Sequence, residues 1–191
     1  HHDIEPLPNG DILLIVIEHN SFGGTSDAII EIQPNYIDNT AEIVWEWHVV
    51  DHLGSNDPYK FSNNINGGPS SSDWNHFNSI YLNELDRIYL SSRSWDEFYV
   101  IEWGVDSDII YRWGNPQNYG RGTIDNHILD ANHGVNEIPY NYPGGGNVII
   151  FNNRNMAVGS SIIELTPPLS NDGTYYIEDG QPFGPELPIW E

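Results

Sequence analysis

Three groups of short apolar runs, each introduced by a histidine, constrain what this chain can fold into. The first group follows His2, the second follows His76 and the third follows His133. Every group contains a strand led by its histidine, two further β-rich runs and a closing run that carries tryptophan. Four strands in each repeated unit is the pattern of a propeller blade.

The apolar runs themselves have strand length and are bounded by Gly, Pro, Asn or Asp. They occupy residues 11–17, 28–32, 43–47, 87–90, 97–101, 109–113, 147–151 and 161–165. No segment has a sustained period of about 3.6 residues, so helices should be scarce. The sequence therefore predicts an all-β fold, a β-propeller of four-stranded blades with about three blades in this chain.

The domain organisation follows from the long polar inserts between the strand groups. We expect one partial propeller domain over residues 1–191. Its blades cover residues 1–50, 74–115 and 132–191, and loops 51–73 and 116–131 separate them. Propellers have about 4–8 blades, so the ring needs its remaining blades or another copy of the chain to close. The competing interpretation is a sandwich of short strands; the spacing of the three histidine-led strands favours the propeller.

The charge balance limits the partners of this chain. It has 28 acidic and 6 basic residues, for a net charge of −22, yet it also carries 7 Trp, 11 Tyr and 6 Phe. High charge with many aromatic residues indicates a packed body with an acidic surface rather than disorder. Such a surface repels phosphate backbones and anionic membranes, so a nucleic-acid partner is not expected.

Composition also bears on where the protein works. There is no cysteine, so neither a disulfide framework nor thiolate chemistry is available. No apolar stretch approaches the roughly 20 residues that span a bilayer. The sequence begins at His1 without Met or the order of a signal peptide, and we expect its ends to reflect truncation. The acidic, Asn-rich composition suits an exported protein.

The three leading histidines are the first candidates for chemistry. The first strand of each blade lines the centre of a propeller, so equivalent positions on successive first strands converge. Clustered histidines serve metal binding, acid–base or nucleophilic catalysis, or anion binding. Asp3 and Asp73 lie close enough in sequence to support a metal. Arg93 follows the second strand of its blade, and its guanidinium opposes a divalent cation and favours an oxyanion.

Five motifs, in order along nearly the whole chain, resemble the bacterial arylsulfate sulfotransferase family. They are His-His-Asp-Ile with Leu-Pro-Asn-Gly-Asp-Ile-Leu at 1–4 and 7–13, Trp-Glu-Trp-His-Val-Val-Asp-His-Leu at 45–53, Asp-Trp-Asn-His-Phe-Asn-Ser-Ile at 73–80, Leu-Ser-Ser-Arg at 90–93 and Tyr-Arg-Trp-Gly-Asn-Pro at 111–116. The resemblance implies a six-bladed propeller in the periplasm or outside the cell. Its implied activity moves a sulfuryl group from a phenolic sulfate ester to a phenolic acceptor, without a nucleotide sulfate donor or other cofactor, through a transient sulfohistidine.

The resemblance also implies roles for single residues. His133 would become sulfated, while His76, Arg93 and His2 would hold and polarise the sulfate. His2 is preferred to His1 by its phase in the repeat, and His1 remains a candidate contact to substrate. No metal ligand is implied.

The remaining candidates for contact with the substrate come from the same motifs. They are Asn78, within the motif at 73–80, and the aromatic residues Trp74, Trp95 and Tyr119, which would stack on a phenol ring or else pack in the core. Trp45, Trp47, Trp113 and Trp190 recur in closing strands and are assigned to packing. The sequence departs from the family pattern at residues 94–95, where His-Gln is common, and at Asn132, where Gln is usual. Both departures bear on acceptor choice.

Two other functions are weighed against sulfuryl transfer. One is a propeller that binds sulfated or phenolic ligands without turnover. The other is a hydrolase or lyase that holds a metal with the three histidines.

Overall fold

Three antiparallel sheets, formed one after another along the chain, make up the fold. It was obtained as a computed structural model, which describes residues 2–104, 108–153 and 159–191. The first sheet holds β1 to β4, the second β5 to β8 and the third β9 to β11, and in each the strands pair in chain order. The strands are β1 (Ile4–Pro6), β2 (Ile12–His19), β3 (Thr25–Asn35), β4 (Thr40–His48), β5 (Phe77–Leu82), β6 (Arg87–Ser92), β7 (Glu97–Glu102), β8 (Ile109–Trp113), β9 (His133–Glu137), β10 (Val148–Asn152) and β11 (Ser161–Leu165).

The described helical structure consists of short 3-10 segments in the connections. They are Val49–His52, Ile65–Ser70, Pro116–Tyr119 and Ile124–Asn126. None of the described helices is long and apolar enough to cross a membrane. The predicted all-β class is confirmed, and the scarcity of helix follows from the period-two patterning of the apolar runs.

Burial differs between the middle sheet and its neighbours. Strands β5, β6 and β7 are buried over most of their length, on both faces. In β2 and β10, by contrast, buried positions alternate with more exposed ones. Continuous burial is expected of a strand covered on both faces, and alternation of a strand covered on one. The sheets are therefore stacked, with the second between the first and the third.

Two apolar layers fill the spaces between the sheets. The first joins Leu13, Ile15 and Ile29 of the first sheet to residues such as Phe77 and Leu90 of the second. The second layer joins the other face of the middle sheet to the third sheet, and it is made by residues including Tyr89, Phe98, Tyr111, Val135, Ile150 and Ile163. Apolar area removed from water is the main stabilising term in such a stack.

The third sheet differs from the predicted four-stranded unit in its last strand. Residues 189–190 take the place of the fourth strand, but they form one antiparallel bridge, Glu164 with Trp190, rather than a ladder. The indole Nε1 of Trp190 also donates to Glu164 Oε2 at 2.8 Å. The described sheets each lie within one of the predicted units. The division of the chain into blades stays a prediction.

Candidate functional site

The first strands of the three sheets lie side by side and bring three imidazoles together. Strand β1 contacts β5, and β5 contacts β9. The ring centroid of His2 lies 4.9 Å from that of His76 and 6.0 Å from that of His133. We call these three residues the histidine cluster. His133 begins β9, while His2 and His76 lie just before β1 and β5, so the cluster exists only when the three sheets are stacked.

The backbone around the cluster adopts left-handed conformations that are uncommon outside glycine. The φ angles are 68° at His2, 44° at His76, 55° at Asp73 and 51° at Ala131. Such conformations persist where the surroundings hold them, and they concentrate at functional sites. Here they turn the chain just before strands β5 and β9 begin.

His76 is paired with a carboxylate. Its Nδ1 lies 2.9 Å from Asp73 Oδ1 and 2.7 Å from Asp73 Oδ2. The imidazole side chain is 17% exposed and the carboxylate 56% exposed. A carboxylate at one ring nitrogen fixes the orientation of the imidazole and turns Nε2 away from the carboxylate.

Arg93 is placed beside His76 by the sheet itself. Its backbone N–H donates to the carbonyl of His76 at 3.0 Å, which extends the pairing of β5 with β6 by one residue. Arg93 is exposed. Among the residues that the structure describes, no hydrogen bond or ion pair engages its guanidinium. The other described cations are engaged, because Lys60 pairs with Asp108 and Arg112 with Glu97, while Arg87 and Arg121 donate to backbone carbonyls.

The electrostatics of the cluster favour neutral imidazoles at two positions. Burial lowers the pKa of His133, and nearby His76 lowers it further against the opposing effect of Asp3. The pKa of His2 is lowered by burial first and then by His76 and His133. A neutral imidazole has a free lone pair on one nitrogen, so it is available as a nucleophile or as a hydrogen-bond acceptor.

The residues directly before His76 and His133 are both buried asparagines, and their side chains hydrogen bond to the preceding sheet. Asn75 Oδ1 accepts from the backbone N–H of Asp27 at 3.0 Å. Asn132 Nδ2 donates to the carbonyl of Glu97 at 3.0 Å and to Ser91 Oγ at 2.7 Å. Both asparagines therefore tie the start of a first strand to the preceding sheet. The repeated Asn-His pair at 75–76 and 132–133 is the sequence signal for this role, and sequence reasoning missed it.

Asn78 lies beneath the cluster rather than on its surface. It is 1% exposed, and its Nδ2 donates to the carbonyl of Asn132 at 2.9 Å. That carbonyl belongs to the residue just before His133. In the structure Asn78 therefore contacts the backbone that carries His133, and it positions that residue.

A buried carboxylate from the first sheet completes the support of His76. Asp27 is 3% exposed, and its Oδ2 accepts from the backbone N–H of Phe77 at 2.5 Å. Burial raises the pKa of Asp27 to about 6, partly offset by the Phe77 N–H, while the nearby charge of Asp73 raises it further. Sequence reasoning missed Asp27 because its partner lies far along the chain, in another sheet.

The structure buries the aromatic residues that the sequence offered either as contacts to substrate or as core. Trp74 is 0% and Trp95 1% exposed, and their rings pack edge to face with centroids 4.9 Å apart. Tyr119 is also buried, with the Arg112 guanidinium 4.4 Å from its ring centroid. Rings closed off from solvent offer no face to a phenol, so these residues contribute to packing. His1, another predicted contact, lies outside the described residues.

Within the described residues, no group of three or more His, Cys, Asp or Glu side chains has a geometry that could hold a metal ion. The arrangement instead offers three imidazoles at one place and, next to His76 in the sheet, an arginine whose guanidinium no described residue engages. Such a set suits an oxyanion that is bound by several donors at once.

Fold and site together define an all-β protein of stacked antiparallel sheets whose first strands gather three histidines next to an arginine. A family model described as Arylsulfotransferase (ASST) matches residues 1–162. The chain belongs to the arylsulfotransferase family, which confirms the resemblance seen in its motifs. No curated protein matches the chain.

Proposed function

We propose that this protein moves a sulfuryl group from a phenolic sulfate ester to a phenolic acceptor through a sulfohistidine at His133. Membership of the family supports aryl sulfotransferase activity at the level of the family. The sulfohistidine mechanism rests on one observation: the imidazoles of His2, His76 and His133 lie together where three sheets meet. The backbone N–H of Arg93 donates to the carbonyl of one of them, His76.

In the first half-reaction, a nitrogen lone pair of His133 attacks the sulfur of the donor ester. The N–S bond forms as the S–O bond to the aryl group breaks, and the phenolate leaves. The lowered pKa of His133 supports this role, because it increases the neutral fraction near pH 7.

In the second half-reaction, the acceptor oxygen attacks the same sulfur. The N–S bond of the sulfohistidine breaks, its electron pair returns to His133, and the acceptor loses its hydroxyl proton. The product is a new aryl sulfate, and the protein is regenerated.

The other members of the site hold the sulfuryl oxygens. Negative charge is spread over those oxygens in the transition state, as in phosphoryl transfer, so placing donors around them is the main source of catalysis. The Arg93 guanidinium can donate two parallel hydrogen bonds, and His2 and His76 one each. Losing one such donor costs about 10²–10³ in rate at comparable sites.

We propose that the complete protein is a β-propeller and that the three sheets are three of its blades. The face-to-face stacking of two consecutive four-stranded sheets and a three-stranded third sheet supports this architecture. Three blades leave a ring open, so the proposal requires the remaining blades or another copy of the chain. We further propose that the protein works outside the cytoplasm, in keeping with the resemblance and with a net charge of −22.

The test of the proposed function uses the full-length protein with 4-nitrophenyl sulfate and phenol. We expect release of nitrophenolate that depends on the acceptor, and a sulfated histidine that can be trapped when the acceptor is left out. The His133→Ala variant should lose both, because it has no nucleophile at that position. His133→Asn, which keeps a polar side chain of similar reach, serves as the check that folding is intact.

Full activity in either folded variant would refute His133 as the nucleophile. Binding of the donor without turnover in the unaltered protein would favour the non-catalytic alternative. Loss of turnover after a chelator would favour the metal-dependent one.

A further inference from the structure

The proposed mechanism leaves one proton unassigned. A phenolate that leaves needs a proton, and a phenol that attacks must lose one. General acid–base catalysis requires a side chain within hydrogen-bond reach of those oxygens and able to exchange its proton. The structure contains a candidate that was not visible from sequence, because it depends on how a carboxylate meets one member of the histidine cluster.

We propose that His76 is the proton donor and acceptor of the reaction, and that Asp73 is the positioning residue that keeps it in the required tautomer. This inference rests on the proposed function. Both oxygens of Asp73 lie within 3 Å of His76 Nδ1, at 2.9 and 2.7 Å. The carboxylate therefore accepts a hydrogen bond from a protonated Nδ1, and Nε2 faces away from the carboxylate.

The backbone fixes both partners independently of their side chains. Asp73 has a φ of 55°, and its N–H donates to Thr25 Oγ1 at 3.1 Å. The carbonyl of His76 accepts from the Arg93 N–H, and the preceding Asn75 is held by Asp27 and by Ser92. The distance between the carboxylate and the ring is thus set by hydrogen bonds to two other strands.

The position of the ring matches the proton transfer it would perform. The centroid of His76 lies 4.9 Å from that of His2, which is 6.0 Å from that of the proposed nucleophile His133. Arg93 is adjacent in the sheet. The ring of His76 therefore lies in the same cluster as the imidazoles that would attack and hold the sulfuryl group.

The protons balance over one cycle. In this role the Nε2–H of imidazolium His76, whose Nδ1 is paired with Asp73, serves the departing aryl oxygen in place of a sulfuryl oxygen, and it gives up its proton there as the S–O bond breaks. Arg93 and His2 then hold the sulfuryl oxygens. The neutral ring that remains keeps its proton on Nδ1. The acceptor hydroxyl then returns a proton to Nε2 as its oxygen attacks the sulfur of sulfated His133, and the N–S bond breaks.

The test compares the Asp73→Asn variant on two donor esters whose leaving phenolates differ in basicity. Asparagine is one of the residues that best tolerates a left-handed backbone, and the bond from the residue 73 N–H to Thr25 does not involve the carboxylate. Proton donation matters most when the phenolate is strongly basic. We expect single-turnover cleavage of phenyl sulfate to slow by about 10²-fold, and that of the more acidic 4-nitrophenyl sulfate by much less.

Glu18→Gln is the matched control. Glu18 Oε2 lies 2.8 Å from Nδ1 of His48, so the change alters another carboxylate–histidine pair outside the histidine cluster. This variant should cleave both esters like the unaltered protein. Equal slowing of both esters in Asp73→Asn, or no slowing of either, would overturn the proposal, because a merely structural role does not depend on the leaving group.

A second measurement separates this proposal from the proposed function, since it needs no turnover. Nitrogen NMR of the full-length protein at alkaline pH, where imidazoles are neutral, reports which ring nitrogen of His76 carries the proton. We expect Nδ1–H in the unaltered protein and loss of that preference in Asp73→Asn. A neutral His76 protonated at Nε2 would overturn the inference even if the enzyme is active.

Discussion

At the scale of single residues, the site combines two kinds of support for its histidines. His76 has a carboxylate at its ring, whereas the backbone before His133 is fixed by Asn132 and, through its carbonyl, by Asn78. Buried polar groups are costly unless they are paired, so such contacts are specific in a way that apolar packing is not. Asp27 stands out because burial works against its charge.

The pH dependence of stability should reveal Asp27. Its pKa is raised from 3.8 to about 6, first by burial, so the folded protein holds this proton where the unfolded chain has lost it. The contribution of Asp27 to stability is therefore greatest below pH 4 and falls as pH rises to about 6. Relative to the unaltered protein, Asp27→Asn should gain about 2 kcal/mol in free energy of unfolding between pH 4 and pH 7.

Denaturant unfolding of both proteins at the two pH values measures this difference. Asparagine retains an oxygen that can accept from the Phe77 N–H, so the comparison isolates the charge. A difference between the two proteins that does not change with pH would contradict the raised pKa.

At the scale of elements, side chains that cross from one sheet to the next set the register of the stack. Asp3 Oδ2 accepts from the Ile80 N–H at 3.0 Å, and Ser79 Oγ accepts from the Val135 N–H at 3.0 Å. Each bond joins the first strands of neighbouring sheets. These are the strands that carry the histidine cluster, so their alignment determines its geometry.

Removing one of these bonds should loosen the third sheet. Ser79→Ala leaves the buried N–H of Val135 without its acceptor, and we expect a loss of about 1–3 kcal/mol in the free energy of unfolding. Urea unfolding measures the loss. Ser170→Ala, at an exposed serine, is the control and should be close to neutral. Equal stability of the two variants would mean that the bond to Val135 contributes nothing.

The sequence predicts the strands well and the contacts between sheets poorly. The predicted runs at 87–90, 97–101 and 109–113 fall on β6, β7 and β8, because apolar patterning is a local signal. The gathering of the three histidines came from the repeat, which places equivalent positions in register. The partners of Asp27 and Asn75 could not be seen, because nothing local indicates which distant N–H a side chain will meet. For Trp74 and Trp95 the sequence left two roles open, because an indole suits both a ligand and a core, and the structure buries both rings.

At the scale of the whole molecule, the large negative net charge is the property that most opposes folding and the binding of an anionic substrate. The net charge is −22, and within the described residues most cations are engaged by acids, carbonyls or aromatic rings, while Arg93 is left for the site. An excess of one sign destabilises the compact state by self-repulsion. The same excess would repel a sulfate ester unless the local field of the site is different.

Added salt should therefore stabilise the fold. We expect the thermal midpoint to rise steeply with sodium chloride up to about 0.2 M and to level off beyond, because the Debye length is about 10 Å at 0.1 M and falls with further salt. Differential scanning calorimetry measures the midpoint. A rise that stays linear to high concentration would indicate a general solvent effect rather than screening, and a flat response would exclude repulsion as a significant term.

Three of the bonds between neighbouring sheets also have a direction along the chain. Asp3, Asp27 and Ser79 are synthesised before the amides of Ile80, Phe77 and Val135 that they accept from. During translation, the second and third sheets would thus leave the ribosome after the sheet that supplies these acceptors. For these three bonds the acceptor is in place before its donor is translated, so this part of the assembly can follow the order of translation.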